Sequence, residues 1–312
     1  MISTLVIDCI EREYNVKIEK AEELSRLYLY RSYKLQMKNG AKYILKELPR
    51  NTNREVLYAI VRLENIFEQA RIEIGKIKRT RSGTLWIDNG IGTYVLFEYV
   101  EGCIAQPCHA YEVGRSLREL HMGMSSTSGV NITTAQIIAE GLKSSEEKEK
   151  TEFLDDDTWK KVRNLIAKKN SDKTQLIHGD FHKGNVLYTE DGRIGVIDLD
   201  DIRMGCYEED IATWVFSMMY HDGCIEYSNV NYIALFLEGY YSTSHVSMEL
   251  WNELQNALHY YCAVHLAKHC ANFKFIRRHK STKRFLDALV VLINDDEIGQ
   301  KMISNIEGER MR

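Results

Sequence analysis

The sequence predicts an α+β protein in two parts, a small strand-rich segment followed by a larger, mostly helical one. Three observations lead there. Short apolar runs broken by turn residues crowd residues 1–100, and helical periodicity dominates beyond Pro107. A length of 312 residues also exceeds what one hydrophobic core ordinarily organises. The expected boundary lies near residue 100, with segments 1–100 and 101–312.

Taken in order, Leu5, Val6 and Ile10 recur at helical intervals and predict a helix over Ser3–Tyr14. Strand-like runs follow at Leu24–Tyr30, Tyr33–Met37 and Lys42–Leu48, the last two joined by a turn at Lys38-Asn39-Gly40. Pro49 stops the strand. Asn51 or Asn53 then caps a helix running through Phe67, whose Val56, Leu57, Ile60, Val61 and Leu63 pack on the sheet. A second hairpin, Thr84–Ile87 and Tyr94–Tyr99, turns at Asp88-Asn89-Gly90, and Gly90-Ile91-Gly92 belongs to that turn. Phe97–Gly102 reads as strand passing into linker, and Pro107 marks a helix start. Asp155–Lys168 reads as a helix whose N-terminal end gathers Asp155, Asp156 and Asp157, where negative charge is favoured. Gly192–Leu199 is a strand within the helical part.

Composition narrows the class. Hydrophobic residues at 44% and charged residues at 28% describe an ordinary globular protein. A formal net charge of −4 argues against nucleic acid as a partner. No apolar run approaches a membrane span. The first residues lack a basic leader and carry Asp8 and Glu11, so they read as a helix rather than a signal peptide. Seven cysteines without framework spacing suit a reducing compartment. The expectation is a cytoplasmic protein, a monomer or dimer.

The chemistry concentrates in His178-Gly179-Asp180-Phe181-His182-Lys183-Gly184-Asn185 and in Val196-Ile197-Asp198-Leu199-Asp200. An aspartate and an asparagine lie close together in a loop, and a second aspartate arrives at the end of an apolar strand. Phosphoryl transfer needs such a set: Asp180 to take the proton of an attacking hydroxyl, and Asn185 with Asp198 to hold Mg²⁺ on nucleotide phosphates. Asp200 either assists the metal, lines the acceptor site or belongs to a solvated acidic turn. No Walker-type lysine loop occurs, which disfavours a P-loop enzyme.

On these residues the chain resembles the aminoglycoside phosphotransferase and choline kinase family, small-molecule relatives of protein kinases. Leu120-His121 at the end of a helical run, Gly205 and Asp210-Ile211-Ala212 agree with it. The resemblance implies a bilobal protein-kinase-like fold, with a small β-rich lobe carrying one main helix and a larger helical lobe. It implies transfer of the γ-phosphoryl group of ATP or GTP, with Mg²⁺, to a hydroxyl of a small molecule such as an aminoglycoside or other amine-bearing compound. Lys46, ending Tyr43-Ile44-Leu45-Lys46, looks like the nucleotide lysine, with Glu55 its expected partner and Glu64 the competitor. Backbone groups of Glu98 and Val100 would meet the nucleobase. His182 stands where protein kinases keep a phosphate-contacting lysine, with Lys183 beside it. Asp210 caps a helix, braces the catalytic loop, or does both. One departure is the absence of glycine between Leu24 and Lys34, where only Ser25 and Ser32 are small. A Ser/Thr protein kinase and a non-catalytic kinase-like protein of the spore-coat type are the alternatives.

Two further groups carry less weight. Cys262, His265, His269 and Cys270, with His259 a turn earlier, have helical spacing that zinc could use, but the neighbouring Tyr260, Tyr261 and Phe273 favour ordinary packing. Asp222, Glu226, Tyr232, Glu238, Tyr240, Tyr241 and Trp251 are candidates for lining a cationic acceptor site, against the plainer reading of a solvated face and a helix core.

Overall fold

The computed structural model describes residues 2–27, 30–48, 54–90, 92–125, 133–145, 154–168, 174–270 and 280–310. Pro49, the helix caps Asn51 and Asn53, Ile91 of the second turn and Phe273 lie outside the described residues, as does the tip of the glycine-free segment at 28–29. The chain divides into two compact units, Met1–Gly102 with Thr189–Asp200, and Cys103–Tyr188 with Asp201–Arg312. No helix among the described residues is long and apolar enough to cross a membrane.

The first unit is built on an antiparallel sheet of β1 (Ile18–Leu27), β2 (Tyr30–Met37), β3 (Lys42–Leu48), β5 (Ile87–Asp88) and β6 (Thr93–Glu98), in the order β1-β2-β3-β6-β5. Helix α1 (Thr4–Tyr14) begins where the Ser3 hydroxyl accepts from the Val6 amide, and ends at Asn15 in the left-handed conformation. Its Val6, Ile10 and Tyr14 join Leu35, Leu45 and Leu96 in one core. The β2–β3 turn closes at Gly40, where φ of +85° suits a residue without Cβ. Helix α2 (Glu55–Gln69) buries Val56, Leu57, Ile60, Leu63 and Phe67, as its 3.6-residue spacing predicts. β4 (Glu73–Ile74) pairs in parallel with β10 (Ile194–Val196), which brings the segment 189–200 into this unit.

The second unit is helical around a few short strands. β7 (Cys103–Ile104) pairs with β9 (Val186–Tyr188), β8 (Gln175–Ile177) with β11 (Arg203–Gly205), and β12 (Tyr220–His221) with β13 (Cys224–Ile225). The helices are α3 (Ala110–Met124), α4 (Thr134–Ser145), α5 (Asp156–Lys168), α6 (Tyr207–Met219), α7 (Val230–Tyr241), α8 (Met248–Cys270), α9 (Lys280–Ile293) and α10 (Ile298–Arg310). Helix α8 is the central strut, packed by α4, α5, α6, α9 and α10. Helices α3 and α7 approach backbone to backbone because each offers a glycine at the crossing. A Cβ on Gly114 would lie 2.0 Å from the Phe236 carbonyl oxygen, and one on Gly239 2.2 Å from that of Tyr111.

Candidate functional site

The loop after β8 carries one group of candidate residues. Leu176 and Ile177 are buried and anchor the strand, so His178 to Asn185 leave it at a fixed point. Gly179 has φ of +82°, and a Cβ there would meet the Arg203 guanidinium at 2.0 Å and the Asp201 carbonyl oxygen at 2.2 Å. Only glycine satisfies both demands. The Asn185 amide nitrogen donates to the Asp180 backbone oxygen at 3.0 Å and to its carboxylate at 3.2 Å. Both partners are acceptors, so the NH₂ faces them and the Asn185 side-chain oxygen points elsewhere. His178 is buried, and its Nδ1 accepts from the Asp180 amide at 3.2 Å, an anchoring role. The His182 Nδ1 accepts from Gly184 and caps the turn Lys183–Asn185, while its Nε2 lies 3.6 Å from the Asp180 carboxylate. The Lys183 amide donates to the Ser217 hydroxyl.

Behind this loop lies a buried polar scaffold. Asp210, in the first turn of α6, accepts from the His178 and Gly179 amides at 2.9 and 2.8 Å. His121 Nε2 meets the same carboxylate at 3.0 Å, and its Nδ1 meets the Tyr240 hydroxyl at 2.8 Å. Burial alone would raise the Asp210 pKa, but the hydrogen bond and charge of His121 and the His178 amide hold it below the ordinary value. Arg203 forms the second support. Its guanidinium donates to the Gly179 and Asp201 carbonyl oxygens, to the Thr134 hydroxyl and to Glu209. Both ends of the Arg203–Glu209 pair are buried, with side chains 5% and 2% exposed. The sequence reading assigned no role to Arg203 or Glu209; the acidic run Glu208-Glu209-Asp210 resembles an ordinary helix start and hides two quite different carboxylates.

A separate group of candidate residues lies in the first unit. Lys46 sits mid-sheet, opposite Ser32 of β2 and Val95 of β6, with its ammonium over the Phe97 ring at 5.4 Å. The ammonium reaches Asp198 at 2.6 Å and Asp200 at 2.7 Å. Burial would lower the Lys46 pKa, yet the two carboxylates outweigh it and raise it. Asp200 is pushed up to about 6, first by burial and then by the charge of Asp198, with Lys46 opposing. Asp198 has φ of +63°, an uncommon conformation for a non-glycine residue, and its side chain is 47% exposed. Lys46 thus takes ion-pair partners from 198 and 200, two residues that the sequence reading does not pair with it. Glu55 stands in the first turn of α2, and burial raises the pKa of Glu64. Glu98 ends β6 with its amide donating to the Lys76 carbonyl oxygen, and Val100 is buried.

A pH dependence follows from Asp200. Its folded pKa lies above the ordinary carboxyl value of 3.8, so the folded chain holds a proton there that the unfolded chain releases. The contribution to stability is therefore present at low pH and lost as pH rises through about 6. Cation binding runs the other way. Affinity for a divalent cation is expected to fall below pH 6 by up to about tenfold per unit, as Asp200 takes up a proton. Titration calorimetry with MgCl₂ of wild type against Asp200→Asn checks this, since the variant lacks the step. Identical pH profiles would dismiss Asp200.

The remaining candidates disperse. Tyr240 is committed to His121, Trp251 is in the core, and Asp222 pairs with Arg284 on the surface. Tyr232 and Glu226 are exposed, and Glu238 is half-buried. His265 and His269 pack against one another and on Phe285, with burial driving both pKa values down, His269 to about 4. His259 donates to the Asp295 carbonyl oxygen.

Comparison with known proteins supplies context for this geometry. A family model described as the phosphotransferase enzyme family matches residues 20–243. Among solved structures, amicoumacin kinase hAmiN in complex with AMP-PNP, Ca²⁺ and Ami superposes with a TM-score of 0.71 at 16% identity, covering 96% of this chain and 94% of that one. A microcompartment-associated aminopropanol kinase gives 0.67 at 16% identity over 97% and 98% of the two chains. Spectinomycin phosphotransferase APH(9)-Ia, in complex with ADP and spectinomycin, gives 0.62 at 16% identity over 98% and 99%. At such identities the likeness is one of fold, the mixed α+β protein-kinase-like architecture. No curated protein matches the sequence.

Proposed function

Since the chain belongs to the phosphotransferase enzyme family, and is thus a small-molecule phosphotransferase, we propose that it moves the γ-phosphoryl group of ATP to a hydroxyl on an amine-bearing small molecule. The observation that carries this reading is the Lys46 ammonium held between Asp198 and Asp200. A half-buried lysine bridging two carboxylates leaves one negative charge in excess, which a divalent cation would neutralise, and the ammonium with that cation would then attract a polyanion. Nucleotide complexes among the structural relatives support ATP as donor. The amine-bearing acceptor draws support from an aminopropanol kinase among them.

Asp180 aligns the acceptor hydroxyl and takes its proton as the new P–O bond forms and the bond to the β-phosphate oxygen breaks, releasing ADP. The Asn185 NH₂ holds the Asp180 carboxylate in place, and Asp210 with Arg203 fixes the loop through its backbone. Lys46 turns from the carboxylates to the donor phosphates, where Glu55 becomes its countercharge. His182 and Lys183 contact the transferred group, and the Glu98 and Val100 backbone receives the base. Asn185 and Asp198 would hold Mg²⁺ through their oxygen donors, with Asp200 as a further carboxylate, a donor set suited to a hard cation that takes few protein ligands. Bound there, Mg²⁺ neutralises charge on the phosphate oxygens. The rate gain then comes from positioning and electrostatics.

ATP with Mg²⁺ is expected to raise Tm by mass action, and Lys46→Ala to abolish most of that rise. Differential scanning fluorimetry measures it. An unchanged melting curve at millimolar Mg²⁺–ATP would refute nucleotide binding. A screen of amino alcohols and aminoglycosides as acceptors then identifies the second substrate.

A further inference from the structure

A cavity of about 450 Å³ opens among α5, α6, α7 and α8, within the size range of small-ligand sites. It lies apart from the catalytic loop. On α6, Glu208 lines the cavity whereas Asp210 serves the loop amides. On α8, Tyr260 lines it, while the next residue, Tyr261, feels the charge of Asp180. Successive helical residues point about 100° apart, so the two helices present one face to each site.

The walls have a definite chemistry. Tyr207, Tyr241 and Tyr260 supply aromatic surface, and Glu208 and Glu253 supply two carboxylates. Lys168, exposed at the end of α5, also lines it and offsets one of those charges. Tyr241 meets Tyr240 edge-on at 5.1 Å, and Tyr207 stacks on Tyr240 at 6.1 Å, so these rings are held by packing. We propose that this cavity is a second ligand site, taking a compact organic cation such as a protonated amine or quaternary ammonium. Ring faces and carboxylates both attract such a group, and partial exclusion of water strengthens the attraction. Burial raises the pKa of the Tyr207 and Tyr241 phenols, Tyr207 adds to the shift at Tyr241, and the charges of Glu208 and Glu253 push both further in the same direction.

The test uses tetramethylammonium chloride, which has no hydroxyl and cannot be phosphorylated, titrated into the full chain by calorimetry at constant ionic strength against sodium chloride. Saturable one-site binding is expected. Exposed Glu253→Gln and half-buried Tyr241→Leu should each weaken it about fivefold or more, with far-UV circular dichroism confirming the fold. Asp180→Asn should leave it unchanged. Binding no stronger than that of sodium would overturn the proposal, as would binding indifferent to both cavity substitutions. Loss of binding in Asp180→Asn would place the cation at the acceptor site instead, and equally overturn it.

Discussion

Replacing Asp180 by Asn is expected to lower kcat by about 10²–10⁴, the usual worth of a positioned base, with little change in nucleotide-induced stabilisation. Asparagine preserves the shape of the side chain and can still meet the Asn185 amide through its own carbonyl oxygen, so loop geometry survives. What disappears is the group that accepts the hydroxyl proton. Steady-state rates on an acceptor found by the screen, together with the Tm rise on Mg²⁺–ATP, separate the two effects. A variant that turned over at the wild-type rate would remove Asp180 from the reaction. One that lost nucleotide stabilisation as well would point to a collapsed loop.

Arg203→Met carries the largest expected effect on stability, a loss of about 3–5 kcal/mol. The methionine fills much of the space but leaves Glu209 buried with one partner fewer, although the Thr134 hydroxyl and the Cys206 amide still reach it. It also removes the donor to the Gly179 carbonyl oxygen, loosening the catalytic loop at its entrance. Denaturant unfolding followed by circular dichroism measures the loss. The double variant Arg203→Met/Glu209→Gln should recover part of it, because the uncompensated charge is gone. A loss below about 1 kcal/mol in the single variant would show that the pair lends no net support.

The limits of the sequence reading fall at identifiable residues. The first strand was expected from Leu24 but begins at Ile18. β1 is an edge strand, and Lys20, Glu22 and Glu19 among its residues give no alternating apolar signal. Its hydrogen bonds to β2 decide the matter, and these depend on a partner rather than on local pattern. Lys46 pairs with Asp198 and Asp200, residues 152 and 154 positions further on, a contact that no local pattern announces. Asp198 adopts a positive φ with no glycine to announce it. The acidic and aromatic acceptor candidates share composition but not surroundings, since Tyr240 and Trp251 turn inward while Asp222 and Tyr232 face solvent.

By itself the sequence determined the fold class, the hairpin turn at Lys38-Asn39-Gly40, the apolar face of α2 and the closeness of Asp180 and Asn185 in one short loop. All of these are local, set by periodicity, turn chemistry or short spacing along the chain. Tertiary structure alone decided that residues 189–200 join the first unit, that Lys46 pairs with two aspartates, that Arg203 and Glu209 brace the His178–Asn185 loop, and that a tyrosine-walled cavity opens among α5, α6, α7 and α8. The reason is physical: an ion pair or a cavity wall is specified by distance in space, and burial fixes its energy, so neither quantity can be read along the chain.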